Sequence, residues 1–132
     1  MNKMILIIGD NRLNYKLLAD FLTVYGYTTK NLHSGLIVVS YVHECRPFLI
    51  LLDIQLPDIS GFDVMELLKH DPFSATIPVI AVTACAHAEE QHLAKSKGFQ
   101  GYMTKPVDMN AMLNIVQSFE HKDLSNHHGI KL

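Results

Sequence analysis

The chain has few cysteines, no excess of basic charge and no long hydrophobic run. With 2 cysteines among 132 residues it has no disulfide framework, and Cys45 and Cys85 match no metal-ligand spacing. Both are typical of small buried hydrophobic residues in a reducing compartment. A net charge of −2 without a basic stripe argues against direct nucleic-acid binding. No apolar run approaches the roughly 20 residues that span a bilayer, and no signal-peptide pattern is present, so we expect a cytoplasmic protein without membrane contact.

The composition is that of a globular domain. Hydrophobic residues make up 48% of the chain and charged residues 18%. This length is enough to bury a core without disulfides or structural metals. After Glu120 the sequence turns polar, in the stretch "HKDLSNHHGIKL". We predict one domain over residues 1–120 and a polar, partly disordered tail over residues 121–132.

Short apolar runs alternate with segments of helical periodicity. Continuous runs such as "FLILLD" are typical of strands covered on both faces of a parallel sheet. Regular alternation favours an open α/β sheet with right-handed crossovers. We predict a flavodoxin-like fold with five parallel strands, in the order 2-1-3-4-5, and five helices on both faces. The predicted strands are Met4–Ile8, Tyr27–Thr29, Phe48–Asp53, Ile77–Ala84 and Gly101–Pro106. The predicted helices follow Asn11, span about Ser34–Glu44, Phe62–His70 and Ala86–Lys97, and follow Asp108.

Four chemically active residues stand at the ends of four predicted strands: Asp10, Asp53, Thr83 and Lys105. In open α/β sheets, functional groups gather beyond the carboxyl ends of the strands, where strand order reverses. Each residue alone has an ordinary explanation, as a helix-start acid, a loop acid, a strand threonine and a surface lysine. Their common position at one edge of the sheet argues that they form a site.

Such a site has a definite chemistry. Two nearby carboxylates repel each other unless a cation lies between them, and Mg²⁺, which prefers oxygen ligands, is the natural candidate. An aspartate held in this way can act as a nucleophile and form an acyl phosphate. Lys105 would offset phosphoryl charge, and the Thr83 hydroxyl would bind a phosphoryl oxygen.

These residues lie in segments that resemble the receiver domain of two-component response regulators, the CheY-like superfamily. The segments are "ILIIGDNRLN", "LILLDIQLPDISGFDV", "IPVIAVTA" and "GYMTKP", and the resemblance covers about residues 4–120. The spacing also fits, because Thr83 follows Asp53 by 30 positions and Lys105 follows Thr83 by 22. The wording "DNxxN" and "DIQLPDISG" looks most like single-domain, DivK-type receivers.

The resemblance implies a role for each site residue. Asp53 looks like the phospho-acceptor, which takes a phosphoryl group from a histidine kinase or a histidine phosphotransfer protein. Asp10, Asp53 and the backbone carbonyl of Gln55 look like the Mg²⁺ ligands. Thr83 looks like the switch hydroxyl and Tyr102 the switch aromatic.

The remaining implied roles concern the phosphoryl group, the loops and the partners. Lys105 looks like the phosphate-binding lysine, with a cis bond to Pro106, while Pro57 and Gly61 shape the loop after the acceptor. The first helix, near Arg12, is expected to dock the kinase or phosphotransfer protein. The fourth helix, fifth strand and fifth helix are expected to contact a downstream protein. We expect a signalling domain that gains and loses its own phosphoryl group, not a turnover enzyme.

Gly9 departs from the pattern, because receivers usually carry an acidic pair where this chain has Gly9-Asp10. The missing acid normally supports the metal through water. We therefore expect weaker Mg²⁺ binding, by about 10–100-fold for the loss of an acid that supports the metal through water. A second hypothesis is that glycine permits backbone angles that an acidic residue would resist.

Three alternatives remain open at this stage. The first is a pseudo-receiver that binds partners without phosphorylation, for which Gly9 is the only support. The second is an aspartyl phosphatase of the haloacid dehalogenase type, which would need a second aspartate where this chain has Gln55. The third is a flavodoxin, which would need a Ser/Thr-rich first loop in place of "GDNRLN".

Overall fold

A computed structural model describes the backbone of residues 2–85 and 87–128, with side chains through residue 120. Strands and helices alternate along these residues. The strands are β1 (Met4–Ile8), β2 (Thr28–Leu32), β3 (Leu49–Asp53), β4 (Val79–Thr83) and β5 (Gly101–Thr104). The helices are α1 (Arg12–Val24), α2 (Val38–Cys45), α3 (Gly61–His70), α4 (Ala88–Ser96) and α5 (Met109–His128), with a short 3₁₀ turn at Ser74–Thr76.

The strands form one parallel sheet in the order β2-β1-β3-β4-β5, which confirms the predicted topology. Alternate strand residues face opposite sides, and each side is covered by helices. On one side Ile5, Ile7 and Leu51 pack against apolar residues of α1 and α5. On the other side Leu6 and Ile50 pack against α2, α3 and part of α4. The predicted placement of helices on both faces is therefore also confirmed.

Side-chain caps start α1 and α5 where the sequence predicts. The Asn14 backbone N–H donates a hydrogen bond of 2.9 Å to the Asn11 side chain at the start of α1. The Ala111 N–H donates in the same way to Asp108 at the start of α5, at 3.1 Å. Each cap satisfies one backbone donor that has no partner within its helix. The α1 cap matters for function, because α1 begins directly beyond the end of β1.

Three details predicted from the sequence were wrong. The second strand runs Thr28–Leu32 and not Tyr27–Thr29, because its pairing with β1 continues to Leu32. The second helix starts at Val38, because Ser34 forms a turn instead, accepting a hydrogen bond from the Leu36 N–H and donating one to Asp58. Cys45 and Cys85 are free, but both are partly exposed and not buried. Cys45 is the last residue of α2, and Cys85 lies in the loop after β4, so neither occupies the interior of the sheet.

The last helix runs to His128 and so continues past residue 120, where we placed the domain boundary. Residues 129–132 of the predicted tail lie outside the described residues. The disorder of the tail stays a prediction. Within residues 2–85 and 87–128, no helix has both the length and the apolar character to cross a bilayer. The cytoplasmic location stays a prediction as well.

Glu120 joins the end of the packed part of α5 to the start of the chain. The Tyr27 hydroxyl donates a hydrogen bond of 2.6 Å to Glu120 Oε1, and Lys3 Nζ lies 2.9 Å from Glu120 Oε2. The Lys3 ammonium also lies 5.0 Å from the centre of the Tyr27 ring. Burial and the Glu120 carboxylate raise the pKa of Tyr27. The three side chains stabilise the edge of the domain opposite the predicted site.

Asp71 joins α2 to the segment between α3 and β4. Its carboxylate accepts hydrogen bonds from the Ser74 backbone N–H at 2.8 Å and from the His43 ring at 2.9 Å. These hydrogen bonds lower the pKa of Asp71, the Ser74 amide having the larger effect. Asp71 is therefore a structural acid, remote from the strand ends that form the site.

Candidate functional site

The carboxyl ends of β3, β4 and β5 bring the predicted residues to one edge of the sheet. Asp53 is the last residue of β3 and is in register with Val82 of β4. Thr83 ends β4 and is in register with Thr104, the last residue of β5. Lys105 follows immediately, and its bond to Pro106 is cis, as the family resemblance implied. Because neighbouring parallel strands end together, the acceptor, the hydroxyl and the ammonium share this edge.

Asp53 and Lys105 form the centre of the site. Lys105 Nζ lies 2.7 Å from Asp53 Oδ2, and the Gln55 backbone N–H donates to Asp53 Oδ1 at 2.9 Å. The Asp53 side chain is only 10% exposed and that of Lys105 is 26% exposed. Both carboxylate oxygens therefore have a donor, and a single ionised aspartate is held beside one ammonium in a partly water-excluded position.

A chain of hydrogen bonds leads from Thr83 to helix α4 through the backbone of Cys85. The Cys85 N–H donates to the buried Thr83 hydroxyl at 3.1 Å. The Cys85 carbonyl accepts from the Tyr102 hydroxyl at 2.8 Å, and Glu90 Oε1 lies 2.6 Å from the same hydroxyl. Burial, reinforced by the Glu90 carboxylate, raises the pKa of Tyr102. The predicted switch residues Thr83 and Tyr102 are thus joined by a single peptide segment.

Gly9 lies close to Asp53, but its backbone is ordinary. A Cβ atom at Gly9 would lie 3.5 Å from Asp53 Cβ and 3.7 Å from Asp53 Oδ2, which is normal van der Waals contact. The positive backbone angles of the described glycines occur at Gly26 and Gly98 and not at Gly9. The hypothesis that Gly9 is required for its backbone angles is therefore wrong. A side chain would fit at this position and would point towards Asp53.

Asp10 is exposed in the turn after β1. Across the described residues, its carboxylate makes no hydrogen bond or ion pair. Nor do the described residues contain a group of three His, Cys, Asp or Glu side chains close enough to hold a metal. The donors that the family resemblance implies are the Asp10 and Asp53 carboxylates and the Gln55 carbonyl. All three are oxygen donors, which suits Mg²⁺ because this ion retains several waters, although one acidic side chain is missing.

The sequence did not point to Glu90 or to the tight packing of Gly61. Glu90 lies in the first turn of α4, where acids are common because they interact favourably with the helix dipole. Its presence there therefore did not predict a contact with Tyr102. A Cβ atom at Gly61 would lie 2.6 Å from the Ile54 Cα, directly beyond the acceptor. The resemblance assigned Gly61 to this loop, but the close approach is visible only in three dimensions.

The sheet order, the placement of the helices and the aspartate–lysine pair at the carboxyl edge are those of a CheY-like receiver. The sequence matches the family model for the response regulator receiver domain over residues 5–117. The chain belongs to the response regulator receiver family, whose members serve two-component signalling. Family membership favours the receiver over the phosphatase and flavodoxin alternatives.

Among curated proteins, the chain resembles the polar-differentiation response regulator DivK. It is 39% identical to DivK of Brucella ovis over 119 residues, which cover 90% of this chain and 97% of the relative. DivK of Brucella melitensis shows the same identity and coverage. This chain is therefore a DivK-like receiver, as predicted.

Solved structures confirm the fold. A putative response regulator from Chloroflexus aurantiacus has a TM-score of 0.84 at 21% identity and covers 90% of this chain and 98% of its own. The Vibrio cholerae chemotaxis protein CheY4 has a TM-score of 0.83 at 18% identity, covering 90% and 99%. At these identities the likeness concerns architecture alone.

Proposed function

We propose that this domain accepts a phosphoryl group on Asp53 from a histidine of a kinase or phosphotransfer protein and signals the event to protein partners by changing conformation. The observation that carries the proposal is the ion pair between Asp53 Oδ2 and Lys105 Nζ, 2.7 Å apart at the edge of the sheet. The domain is in this view a signalling module and not a turnover enzyme.

Asp53 has the properties of the nucleophile. As the bond from its carboxylate oxygen to phosphorus forms, the phosphorus–nitrogen bond of the phosphohistidine breaks. The histidine ring, protonated on its other nitrogen, takes the electron pair and leaves as neutral imidazole. Lys105, which contacts Asp53 before the reaction, lies within reach of the new phosphoryl oxygens. Its ammonium would exchange one anionic partner for another, and its positive charge would favour the transfer.

Asp10, Asp53 and the Gln55 carbonyl are the residues that would hold Mg²⁺. When bound there, the ion would offset the negative charge of the phosphoryl oxygens. Gly9 leaves the position beside Asp53 without its usual acid, so we propose that this ion is bound more weakly than in receivers with an acidic pair.

The conformational signal would pass along the Cys85 backbone. A phosphoryl group on Asp53 would attract the Thr83 hydroxyl, which now accepts from the Cys85 N–H. Movement of Thr83 would then shift the Cys85 carbonyl that binds the Tyr102 hydroxyl. Tyr102 lines an open cleft with Gln91 and Lys95 of α4, so a rotation of its ring would reshape the surface of α4 and β5. This surface, together with α5, is where we place the downstream partner.

Helix α1 offers a surface for the phosphoryl donor. Leu13, Leu17 and Val24 lie on one face of the helix, because their spacing corresponds to whole turns. They are 68%, 51% and 80% exposed, respectively. An exposed row of large apolar side chains on a helix is typical of a surface that contacts another protein. Since α1 starts beside the acceptor, a histidine-bearing helix packed on this face would place its phosphoryl group near Asp53.

The test is incubation with a small phosphodonor and Mg²⁺, followed by intact-mass measurement. We expect one phosphoryl adduct on the native protein and none on Asp53→Asn, which has almost the same shape. Asp58→Asn, an exposed acid held by Ser34 in a neighbouring loop, is the matched control and should retain the adduct. An adduct that persists in Asp53→Asn would refute the assignment of the acceptor.

The pseudo-receiver is the second candidate function. It is favoured by Gly9 and by the lack of a three-acid cluster among the described residues. In this case the domain would bind its partners through the same surfaces without phosphorylation. No adduct on the native protein, even at high Mg²⁺ concentration, would support this candidate against the phosphorylated switch.

A further inference from the structure

An apolar cleft of about 160 Å³ opens beside the proposed acceptor. It lies between α1 and the segment that follows β5. Its walls include Leu17 and Leu18 of α1, together with Val107 and Met109 beyond the cis proline bond. Asp53 and Lys105 line the same cleft.

Gly9 keeps this cleft open towards Asp53. Gly9 lines the cleft, and a Cβ atom there would lie within 3.7 Å of the carboxylate oxygen that contacts Lys105. An acidic side chain at this position would place a charge between the apolar walls and the acceptor. With glycine, the apolar surface continues up to the carboxylate.

The size and charge of the cleft define what fits in it. Asp53 and Lys105 carry opposite charges 2.7 Å apart, so the charged end of the cleft is close to neutral overall. The remaining walls are mostly apolar and favour an uncharged apolar group. An apolar cavity of about 150 Å³ is large enough to take up benzene. A phenyl ring or a branched alkyl group therefore fits, and a methyl group would leave most of the cleft unfilled.

We propose that the cleft binds the acyl group of small acyl phosphates and selects donors whose acyl group is aromatic or branched; this rests on the role of Asp53 as phosphoryl acceptor proposed above. The phosphoryl end would lie at Lys105 and the apolar acyl group in the cleft. The bond from Asp53 to phosphorus forms while the bond from phosphorus to the acyl oxygen breaks. The leaving carboxylate takes the electron pair, and no proton needs to move.

The experiment compares three donors by intact mass: benzoyl phosphate, acetyl phosphate and phosphoramidate, which has no acyl group. Val107→Phe would fill the cleft. We expect this variant to lower the ratio of the benzoyl phosphate rate to the phosphoramidate rate about tenfold, which corresponds to the loss of a few methylene contacts. The ratio of the acetyl phosphate rate to the phosphoramidate rate should fall much less. Intrinsic differences in donor reactivity cancel in the comparison with the native protein. Leu67→Phe makes a similar change on the exposed face of α3 and should leave the ratios at their native values.

A second measurement needs no variant. Benzyl alcohol, which is uncharged and unreactive, should slow labelling of the native protein by benzoyl phosphate and not by phosphoramidate. If Val107→Phe leaves the benzoyl ratio unchanged, or if benzyl alcohol slows both donors alike or neither, the proposed selectivity is wrong. If no donor phosphorylates the protein, the acceptor role itself fails, and the two failures are thus distinguishable.

Discussion

Replacing Gly9 with glutamate should make the domain bind Mg²⁺ more tightly and unfold more easily without it. The structure provides the room, because a Cβ atom at this position meets Asp53 only at van der Waals distance. The backbone at Gly9 lies outside the left-handed region, so a glutamate adds no backbone strain there. The effect should therefore come from the added charge.

The two expected changes can be estimated separately. An added acid that supports the metal through water is worth about 10–100-fold in metal affinity, which is about 1.4–2.8 kcal/mol. Without the ion, two carboxylates about 5 Å apart repel by about 3 kcal/mol at an effective dielectric constant near 20. Lys105, 2.7 Å from Asp53 Oδ2, offsets most of this repulsion. We expect a net loss of about 1 kcal/mol in the free energy of unfolding of the metal-free variant.

Isothermal titration with Mg²⁺ and thermal unfolding with and without the ion would measure both effects. Gly9→Gln has the same side-chain length without the charge and separates the electrostatic effect from the loss of glycine. The glutamate variant should melt below the native protein without Mg²⁺ and above it at saturating Mg²⁺. Equal Mg²⁺ affinities of the glutamate and glutamine variants would refute the reasoning.

Three further predictions concern stability and are measured by urea unfolding. Gly61→Ala should cost about 1–3 kcal/mol, because its Cβ would lie 2.6 Å from a backbone Cα, whereas Gly9→Ala, the matched control, should cost little. Tyr27→Phe should cost about 1–2 kcal/mol, since it removes a hydrogen bond to the charged Glu120; an unchanged midpoint would contradict this. The pKa of Asp71 is lower in the folded chain than its ordinary value of 3.8 in the unfolded chain. Its ionised carboxylate therefore stabilises the fold above pH 3.8, and this stabilisation is lost as the pH falls through the lowered pKa of the folded chain. Asp71→Asn should flatten the stability profile in that acidic range, and a profile identical to the native one would refute the assignment.

The sheet and most of the candidate site at its carboxyl edge could be predicted from the sequence, because both depend on local patterns. The run "FLILL" is apolar throughout because β3 is buried on both faces, and Asp53, the polar residue that follows it, must lie at the edge. The same logic placed Thr83 and Lys105. Helix caps at Asn11 and Asp108 were recognisable because each acts on a backbone group within three residues.

The features that escaped prediction depend on distant parts of the chain. Glu90 contacts Tyr102 only because α4 packs beside β5. Neither residue type predicts that contact from the sequence. The apolar cleft exists only once α1 and the segment after β5 are both in place. The second helix starts later than predicted because the Ser34 hydroxyl donates a hydrogen bond to Asp58. This contact joins two loops, and the periodicity of the sequence does not predict it.

The link between Thr83 and Tyr102 consists of the two peptide groups of Cys85, and its thiol takes no part in either bond. Mutational drift at this position can therefore alter the partly exposed side chain while the proposed route from phosphorylation to output survives. Proline is the exception, because it lacks the N–H that reaches Thr83 and would disconnect the hydroxyl while sparing the carbonyl used by Tyr102. If Asp53 is phosphorylated as proposed, a single substitution would in this way separate sensing from response without changing any reactive group.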